Sequence, residues 1–281
     1  MQKSLRKYFA VFALPTLAAF VIAFLIPFLF GLYLSFTNFT TVTNTQWVGW
    51  ENYVRAFTDN NDFLHALWIT AAFTAVSVLS VNLLAFGLAL LLTRGLKGTN
   101  LFRTVFFMPN LIGGIVLGYI WQLIINGLLL SAGVDITYDP KYGFWGLVVL
   151  MNWQMIGYMM IIYIAGLQNL PTDVLEAAEI DGASSWQKLR RVTIPMIMPS
   201  ITICTFLTLT NSFKLFDQNF ALTAGAPMKK TAMLALDIYN PFYGRIGDEG
   251  VGQAKAVLFF LMVAAIAALQ LRATRSREVE Q

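Results

Sequence analysis

Six long apolar runs constrain this chain more than any other feature of its sequence. A bilayer core of about 30 Å takes roughly 20 apolar residues in a helix, because each residue adds about 1.5 Å. Six stretches reach that length: Ala10–Phe36, Leu67–Thr93, Thr104–Ile125, Phe144–Leu167, Met196–Phe216 and Val251–Leu271. Hydrophobic residues make up 57% of the chain and charged residues only 12%, about half the charged share of a soluble domain. The sequence therefore predicts an all-α membrane protein with six transmembrane helices.

Lysine and arginine are distributed unevenly between the loops. Alternate segments, starting with the N-terminus, hold twelve of them: Lys3, Arg6, Lys7, Arg94, Lys97, Arg103, Lys188, Arg190, Arg191, Arg272, Arg275 and Arg277. The other loops hold five: Arg55, Lys141, Lys229, Lys230 and Arg245. Because segments rich in Lys and Arg stay in the cytoplasm, we predict cytoplasmic termini at residues 1–9 and 272–281. Residues 10–271 then form the transmembrane domain in a cell membrane.

Several classes of function are disfavoured by what the sequence contains. A single cysteine, Cys204, allows no internal disulfide and no multi-cysteine metal site, and a single histidine, His65, disfavours a histidine-rich catalytic centre. The basic residues flank apolar runs, which indicates membrane anchoring rather than nucleic-acid binding. No Gly-x-x-x-x-Gly-Lys-[Ser/Thr] motif is present. We therefore predict no catalytic residues, no metal site and no ATP site on this chain.

The sequence of the predicted cytoplasmic loop, residues 170–195, indicates two short helices joined at a glycine. Pro171 can open the first helix, because its missing N–H has no partner there in any case. Gly182 can end it in the left-handed conformation that follows many helices. Ser184 and Gln187 have the spacing of a capping box that opens the second helix.

The outer surface of this predicted helix pair suits contact with another protein. Ala177, Ala178 and Ala183 would let a partner backbone approach closely, and Glu176 and Glu179 edge them with negative charge that can pair with arginines. This pattern favours docking into a cleft of a cytosolic partner.

Three motifs resemble those of a known family, the carbohydrate-type permease subunits of ABC importers. The motifs are Glu176-Ala177-Ala178 with Gly182 and Val192-Thr193-Ile194-Pro195, then Phe216-Asp217 with Leu222-Thr223-Ala224-Gly225-Ala226-Pro227, and Val48-Gly49-Trp50-Glu51-Asn52-Tyr53. The first has the spacing of the family's EAA loop. The sequence departs from the family pattern at Leu189, where Phe is usual, and at Ala226, where a second Gly is usual. The resemblance covers nearly the whole chain.

The resemblance implies a fold, partners and roles. The fold would be that of a type I ABC importer permease, working in a bacterial inner or cytoplasmic membrane with a second permease, two ATPase subunits, an external solute-binding protein and a carbohydrate substrate. We expect a different chain as the second permease, although a homodimer stays open. ATP and Mg would be bound by the ATPases, with no cofactor on this chain. The residues implied in ATPase coupling are Glu176, Ala177, Ala178, Glu179, Asp181, Gly182 and Ala183.

Polar side chains within the fourth and fifth apolar runs are candidates for a substrate pathway, because polar groups at membrane depth usually face protein or a cavity. The candidates are Asn152, Gln154, Tyr158, Thr208, Asn211 and Ser212. Amides, hydroxyls and aromatic rings suit an uncharged sugar, and the parts around Gln154 and Tyr158 resemble the region of sugar contacts in the family. Small hydroxylated residues also join helices, so packing is an equal alternative for Thr208 and Ser212.

Charged residues inside the apolar runs are few. Lys214 and Asp217 are three residues apart, and on a continuous helix they would form a local ion pair. No acidic relay crosses the membrane, which disfavours an ion-coupled secondary transporter, and the sequence offers no convergent catalytic set for a membrane enzyme. A sugar-phosphate or polyol remains an alternative cargo, with Lys214 as the one basic candidate to bind an anion.

Overall fold

The computed structural model describes residues 2–41, 43–59, 62–244 and 247–275. In this part of the chain, fourteen α-helices and one β-hairpin follow in the order α1 Gln2–Phe20, α2 Ile26–Leu34, β1 Thr37–Thr41, β2 Asn44–Trp47, α3 Glu51–Thr58, α4 Asp62–Leu92, α5 Thr99–Phe107, α6 Gly114–Leu129, α7 Pro140–Gln168, α8 Thr172–Ile180, α9 Ser185–Lys188, α10 Ile194–Met196, α11 Met198–Phe213, α12 Asp217–Leu222, α13 Leu234–Gly244 and α14 Glu249–Arg275. Single π-helical turns join α1 to α2 and α9 to α10.

Five helical segments of the described residues are long and apolar enough to cross a membrane. They are Ala13–Leu34, Asp62–Leu92, Gly114–Ala132, Pro140–Gln168 and Glu249–Gln270. A sixth span results if the bent pair Ser185–Met196 and Met198–Phe213 is one crossing. The predicted six-helix membrane fold is thus confirmed. The predicted division into termini and transmembrane domain stays a prediction, and residues 276–281 of the predicted tail lie outside the described residues.

The third span does not lie where the apolar run predicted it. Thr104–Ile125 was expected to be one helix, but α5 ends at Phe107, a 3₁₀ turn covers Met108–Leu111, and α6 begins at Gly114. Ile112 and Gly113 between them are extended, with ψ angles of 133° and 140°. Proline at position 109 and the glycine pair at 113 and 114 disfavour a continuous helix at this point.

The fifth span is bent and ends early. The two helical segments on either side of Ile197 meet at 71°, and α11 ends at Phe213 instead of continuing to the predicted Phe216. Pro195 and Pro199 flank the bend, and proline removes a helical hydrogen bond and clashes with the preceding turn. Ile197 itself is buried, so the bend is fixed by packing.

The chain divides into two compact units. The first comprises Met1–Phe63 and Ile238–Phe260, and the second comprises Leu64–Asp237 and Leu261–Gln281.

In the first unit, the hairpin β1–β2 and helix α3 are joined by polar contacts. The Asn52 side-chain amide donates to the carbonyls of Ser35 and Thr37, at 3.0 and 2.8 Å. The Arg55 guanidinium donates to the Asp248 carboxylate at 2.6 Å, and this hydrogen bond raises the pKa of Arg55 above its ordinary value. These contacts make the segment a folded surface.

The second unit has its core around α7, which packs against α4, α5, α11 and α12. Its buried residues include Phe73, Met151, Met159, Tyr163 and Leu222. Glycines allow two close approaches. A side chain at position 157 would overlap the backbone of Phe106 at the end of α5, and one at position 118 would overlap Ala221 of α12. Helix α5 is therefore packed tightly against α7, and α12 is packed tightly against α6.

Candidate functional site

The α8–α9 hairpin, residues 172–188, forms as the sequence predicted. Gly182 follows α8 with a φ of 76°. The N–H of Ala183 donates to the carbonyl of Ala178, and the N–H of Gly182 to that of Glu179, both at 3.0 Å. This is the paired arrangement of a Schellman motif. Ser184 and Gln187 form both hydrogen bonds of the predicted capping box, so the angle between the two helices is set by caps on both sides of the glycine.

This hairpin exposes large apolar side chains in addition to its alanines and acids. Ile180 is 86% exposed, Trp186 66% and Val174 40%. Exposed apolar groups of this size indicate a protein contact surface. The sequence analysis named only the small and acidic residues of this surface; Ile180 and Trp186 could have been found from their exposed positions in the predicted helix pair.

The predicted coupling residues differ in their surroundings. Glu176, Ala177, Asp181 and Gly182 are exposed, whereas Ala178 and Ala183 are half-buried. The Glu179 carboxylate forms an ion pair with the ammonium group of Lys188 across the hairpin. This ion pair therefore links α8 to α9, and Glu176 is the better placed of the two acids to contact a partner.

A polar cavity of about 320 Å³ lies beside the middle of α7. It is lined by Asn110, Met151, Gln154, Met155, Tyr158, Asn211, Lys214, Leu215, Phe216, Asp217 and Gln218. The cavity lies where the break between α5 and α6 meets the break between α11 and α12, against a continuous stretch of α7. Three of the predicted pathway residues, Gln154, Tyr158 and Asn211, therefore share one cavity.

Two glutamines connect the three walls of this cavity. The side-chain N–H of Gln218 donates to the Gln154 side-chain oxygen at 2.6 Å, and the Gln154 N–H donates to the Ile112 carbonyl at 3.4 Å. Both side chains are about nine-tenths buried. The amide N–H and C=O groups that form this hydrogen bond could also donate to and accept from the hydroxyls of a sugar.

The predicted ion pair between Lys214 and Asp217 is wrong. Among the described residues, the two form no salt bridge with each other. The prediction assumed a continuous helix, but Lys214 is the residue after α11 and Asp217 is the first residue of α12. Both side chains line the cavity and are exposed, so the cavity carries one charge of each sign.

The remaining three pathway candidates lie away from the cavity lining. Thr208 and Ser212 are buried and donate to the carbonyls of Cys204 and Thr208, at 2.8 and 2.6 Å. Asn152 donates to the Ser80 hydroxyl on α4 at 2.9 Å. Both of these acceptors lie on α11 itself, but the Thr208 hydroxyl also accepts from the Asn82 amide of α4 at 3.3 Å, as the helix-packing alternative expects. A role for Asn152, Thr208 and Ser212 in the pathway stays a prediction.

Sequence reasoning missed Asn110 and Gln218 as members of the cavity. Gln218 follows the Phe216-Asp217 motif, and Asn110 follows Pro109, which was the available signal that the third span is interrupted. Within the described residues, no group of three or more His, Cys, Asp or Glu side chains is arranged to hold a metal ion. The site thus consists of a polar cavity in the transmembrane region, with one charge of each sign, and an exposed hairpin at one end of the bundle.

Residues 82–276 match the family described as the binding-protein-dependent transport system inner membrane component. The chain belongs to this family. The match begins in α4 and runs to the end of the described residues, so both the polar cavity and the α8–α9 hairpin lie inside the region that defines these permeases.

Known permeases of the family are similar to this chain over its full length. It is 42% identical over 282 residues to the probable starch degradation products transport system permease protein AmyD of Thermoanaerobacterium thermosulfurigenes, covering 97% of this chain and 96% of that protein. It is 30% identical over 290 residues to the multiple sugar-binding transport system permease protein MsmF of Streptococcus mutans, covering 99% of both chains.

Solved transporters share the fold. A bacterial ABC transporter involved in the import of the acidic polysaccharide alginate superposes with a TM-score of 0.80, covering 98% of both chains at 21% identity. An amino acid ABC transporter superposes with a TM-score of 0.55 over 80% of this chain at 19% identity. The chain therefore has the type I ABC importer permease fold.

Proposed function

We propose that this permease is one transmembrane subunit of an ATP-driven importer for neutral oligosaccharides. The observation that carries the proposal is that one chain combines a polar, charge-balanced cavity in its transmembrane region with a capped, exposed EAA hairpin. The cavity offers groups that bind sugar hydroxyls, and the hairpin offers a surface for an ATPase. In this proposal the chain itself neither binds nor hydrolyses ATP.

The character of the cavity supports a neutral sugar as cargo. Gln154, Gln218, Asn110 and Asn211 supply amides, and Tyr158 supplies a ring for the apolar face of a sugar. An anionic sugar-phosphate would need an excess of positive charge, but Asp217 offsets Lys214. The names of AmyD and MsmF, which refer to starch degradation products and to multiple sugars, support the same class of cargo.

The proposed assembly contains a second permease of the same fold, two ATPase subunits that bind ATP and Mg, and an external binding protein that delivers the sugar. The α8–α9 hairpin would lie on the cytoplasmic side, with both termini. ATPase closure would move the hairpin, and the bundle would turn its cavity from one side of the membrane to the other. We expect the second permease to be a different chain.

Transport by the assembled complex tests this function. The test uses proteoliposomes that contain this chain, its second permease and its ATPase. We expect them to take up maltooligosaccharides only when the sugar-loaded binding protein is outside the vesicle and ATP is on the side of the membrane that carries the ATPase. Ionophores that collapse proton and sodium gradients should leave uptake unchanged. Uptake by this chain alone, driven by an ion gradient, would instead favour a secondary transporter.

Cysteine labelling tests the proposed direction of the spans. The one native cysteine, Cys204, is buried, so background labelling should be low. A cysteine at Ile180, which is 86% exposed on the hairpin, should react with a membrane-impermeant maleimide only in inverted vesicles. A cysteine at Met228, which is 81% exposed near the opposite end of α7, should react only in right-side-out vesicles. The reverse pattern would contradict the proposed orientation.

A further inference from the structure

A second cavity, of about 200 Å³, lies at the end of α7 opposite the α8–α9 hairpin. Its inner wall is apolar and is formed by Ile69 and Phe73 of α4, Phe144 and Leu147 of α7, and Met233. Within the described residues, it shares no lining residue with the polar cavity beside the middle of α7. The proposed transport function gives this second cavity no role.

The walls of this cavity are held in place by specific contacts. The His65 ring nitrogen Nε2 hydrogen-bonds to the Lys230 carbonyl at 3.0 Å. The backbone N–H of Leu234 donates to the Thr70 hydroxyl at 2.9 Å. Both contacts attach the segment that carries Lys230 to α4, so the single histidine of the chain helps to position the rim of the cavity.

Two lysines, Lys141 and Lys230, line the rim and are exposed. Neither ammonium group has a hydrogen-bond or ion-pair partner among the described residues. The nearby Asp139 carboxylate accepts from the backbone N–H of Lys141 at 2.8 Å, as the cap of α7. The rim therefore presents two positive charges above an apolar interior.

The surface around the cavity has the composition of a membrane interface. Trp68 and Trp145 are 70% and 56% exposed, and Tyr142 is also exposed beside the rim. Trp and Tyr concentrate at the level of lipid headgroups because their rings are partly apolar and partly polar. Lysines at the same level attract anionic headgroups.

We propose that this cavity binds an anionic phospholipid from the leaflet opposite the α8–α9 hairpin. The phosphate lies between the ammonium groups of Lys141 and Lys230, and part of one acyl chain enters along Phe73, Phe144 and Leu147. A sugar does not suit this site, because the interior offers almost no groups for its hydroxyls. The bound lipid would join α4, α7 and the segment around Lys230 without contacting the transport cavity.

Native mass spectrometry of the full-length chain, released from nanodiscs that contain equal amounts of phosphatidylglycerol and phosphatidylcholine, tests this site. The wild-type chain should retain phosphatidylglycerol preferentially. In the double variant Lys141→Gln/Lys230→Gln, that retention should fall by about fivefold for each lysine removed. The matched control is Arg94→Gln/Lys97→Gln, which removes two exposed charges from the other end of α4 and should leave the preference unchanged.

A second variant tests the apolar part of the site. Ile69→Phe keeps both lysines but narrows the cavity, and it should also reduce retention of phosphatidylglycerol, while excess inorganic phosphate should not displace the lipid. Three results would overturn the proposal: equal retention of the two lipids by the wild-type chain, equal losses in the lysine variant and its control, or displacement by phosphate alone. The last would indicate a site for free anions.

Discussion

Replacing Gly182 with valine is expected to reduce sugar-dependent ATP hydrolysis and sugar uptake by about tenfold or more. Gly182 adopts a φ of 76°, which costs a non-glycine residue about 1–2 kcal/mol and is still less favourable for a β-branched one. About 1.4 kcal/mol corresponds to a tenfold change in an equilibrium. Relief of the strain would break the Schellman contacts and rotate α8 against α9, so the exposed residues of the hairpin would no longer form one surface.

Gly95→Val is a close control for this change. Gly95 has a φ of 75°, and, like Gly182, it has open space around the position of a Cβ atom. It lies in the α4–α5 loop, which is predicted to be on the same side of the membrane. The two variants should lose similar backbone stability, but only Gly182→Val should lose coupling at equal membrane abundance. Normal uptake in Gly182→Val, or an equal loss in both, would contradict a specific role for the hairpin.

Gln154→Leu should reduce sugar uptake by at least about tenfold while leaving the chain inserted and assembled. The change removes the acceptor for Gln218 and the donor to Ile112. An unsatisfied buried polar group costs about 1–3 kcal/mol, which corresponds to a factor between about 5 and about 150. It also removes an amide that the sugar would use. The measurement is initial uptake across a range of sugar concentrations, normalised to the abundance of the complex.

Asn152→Leu provides the matched comparison on the same helix. Asn152 is a side-chain amide two residues away that bonds to Ser80 instead of lining the cavity. We expect this variant to lower the thermal stability of the complex but to preserve uptake by the molecules that remain assembled. If both variants lost uptake equally, the pathway would extend along α7 beyond the residues that line the cavity.

The helix pair at residues 172–188 was predictable because its determinants are local. A proline, a glycine and a Ser-x-x-Gln capping box lie within seventeen residues of one another, and each acts on its neighbours alone. The apolar runs were likewise predictable, since the bilayer demands length and hydrophobicity. The count of spans and the form of this hairpin follow from such local and compositional rules.

The two interrupted spans were not predictable from hydropathy, although Pro109 was a local signal for the first break. Hydropathy does not change at Ile112 or at Lys214–Phe216 enough to show a break, and the break at Ile112 is stabilised by contacts with α7 and Gln154. Gln218 reaches Gln154 only because α12 packs into the space left by Gly114 and Gly118. The cavity therefore depends on contacts between residues that are distant in sequence.

The fifth span bends by 71° at Ile197, so α11 extends at a steep angle from the helical segment before it. Helix α11 has 16 residues and is therefore about 24 Å long, with Asn211 near its far end. A tilt of about 10° around Ile197 would move that end by about 4 Å, more than the length of a hydrogen bond. A small rotation imposed on α9 and α10 would thus be enlarged into a displacement that changes which side chains can reach a sugar.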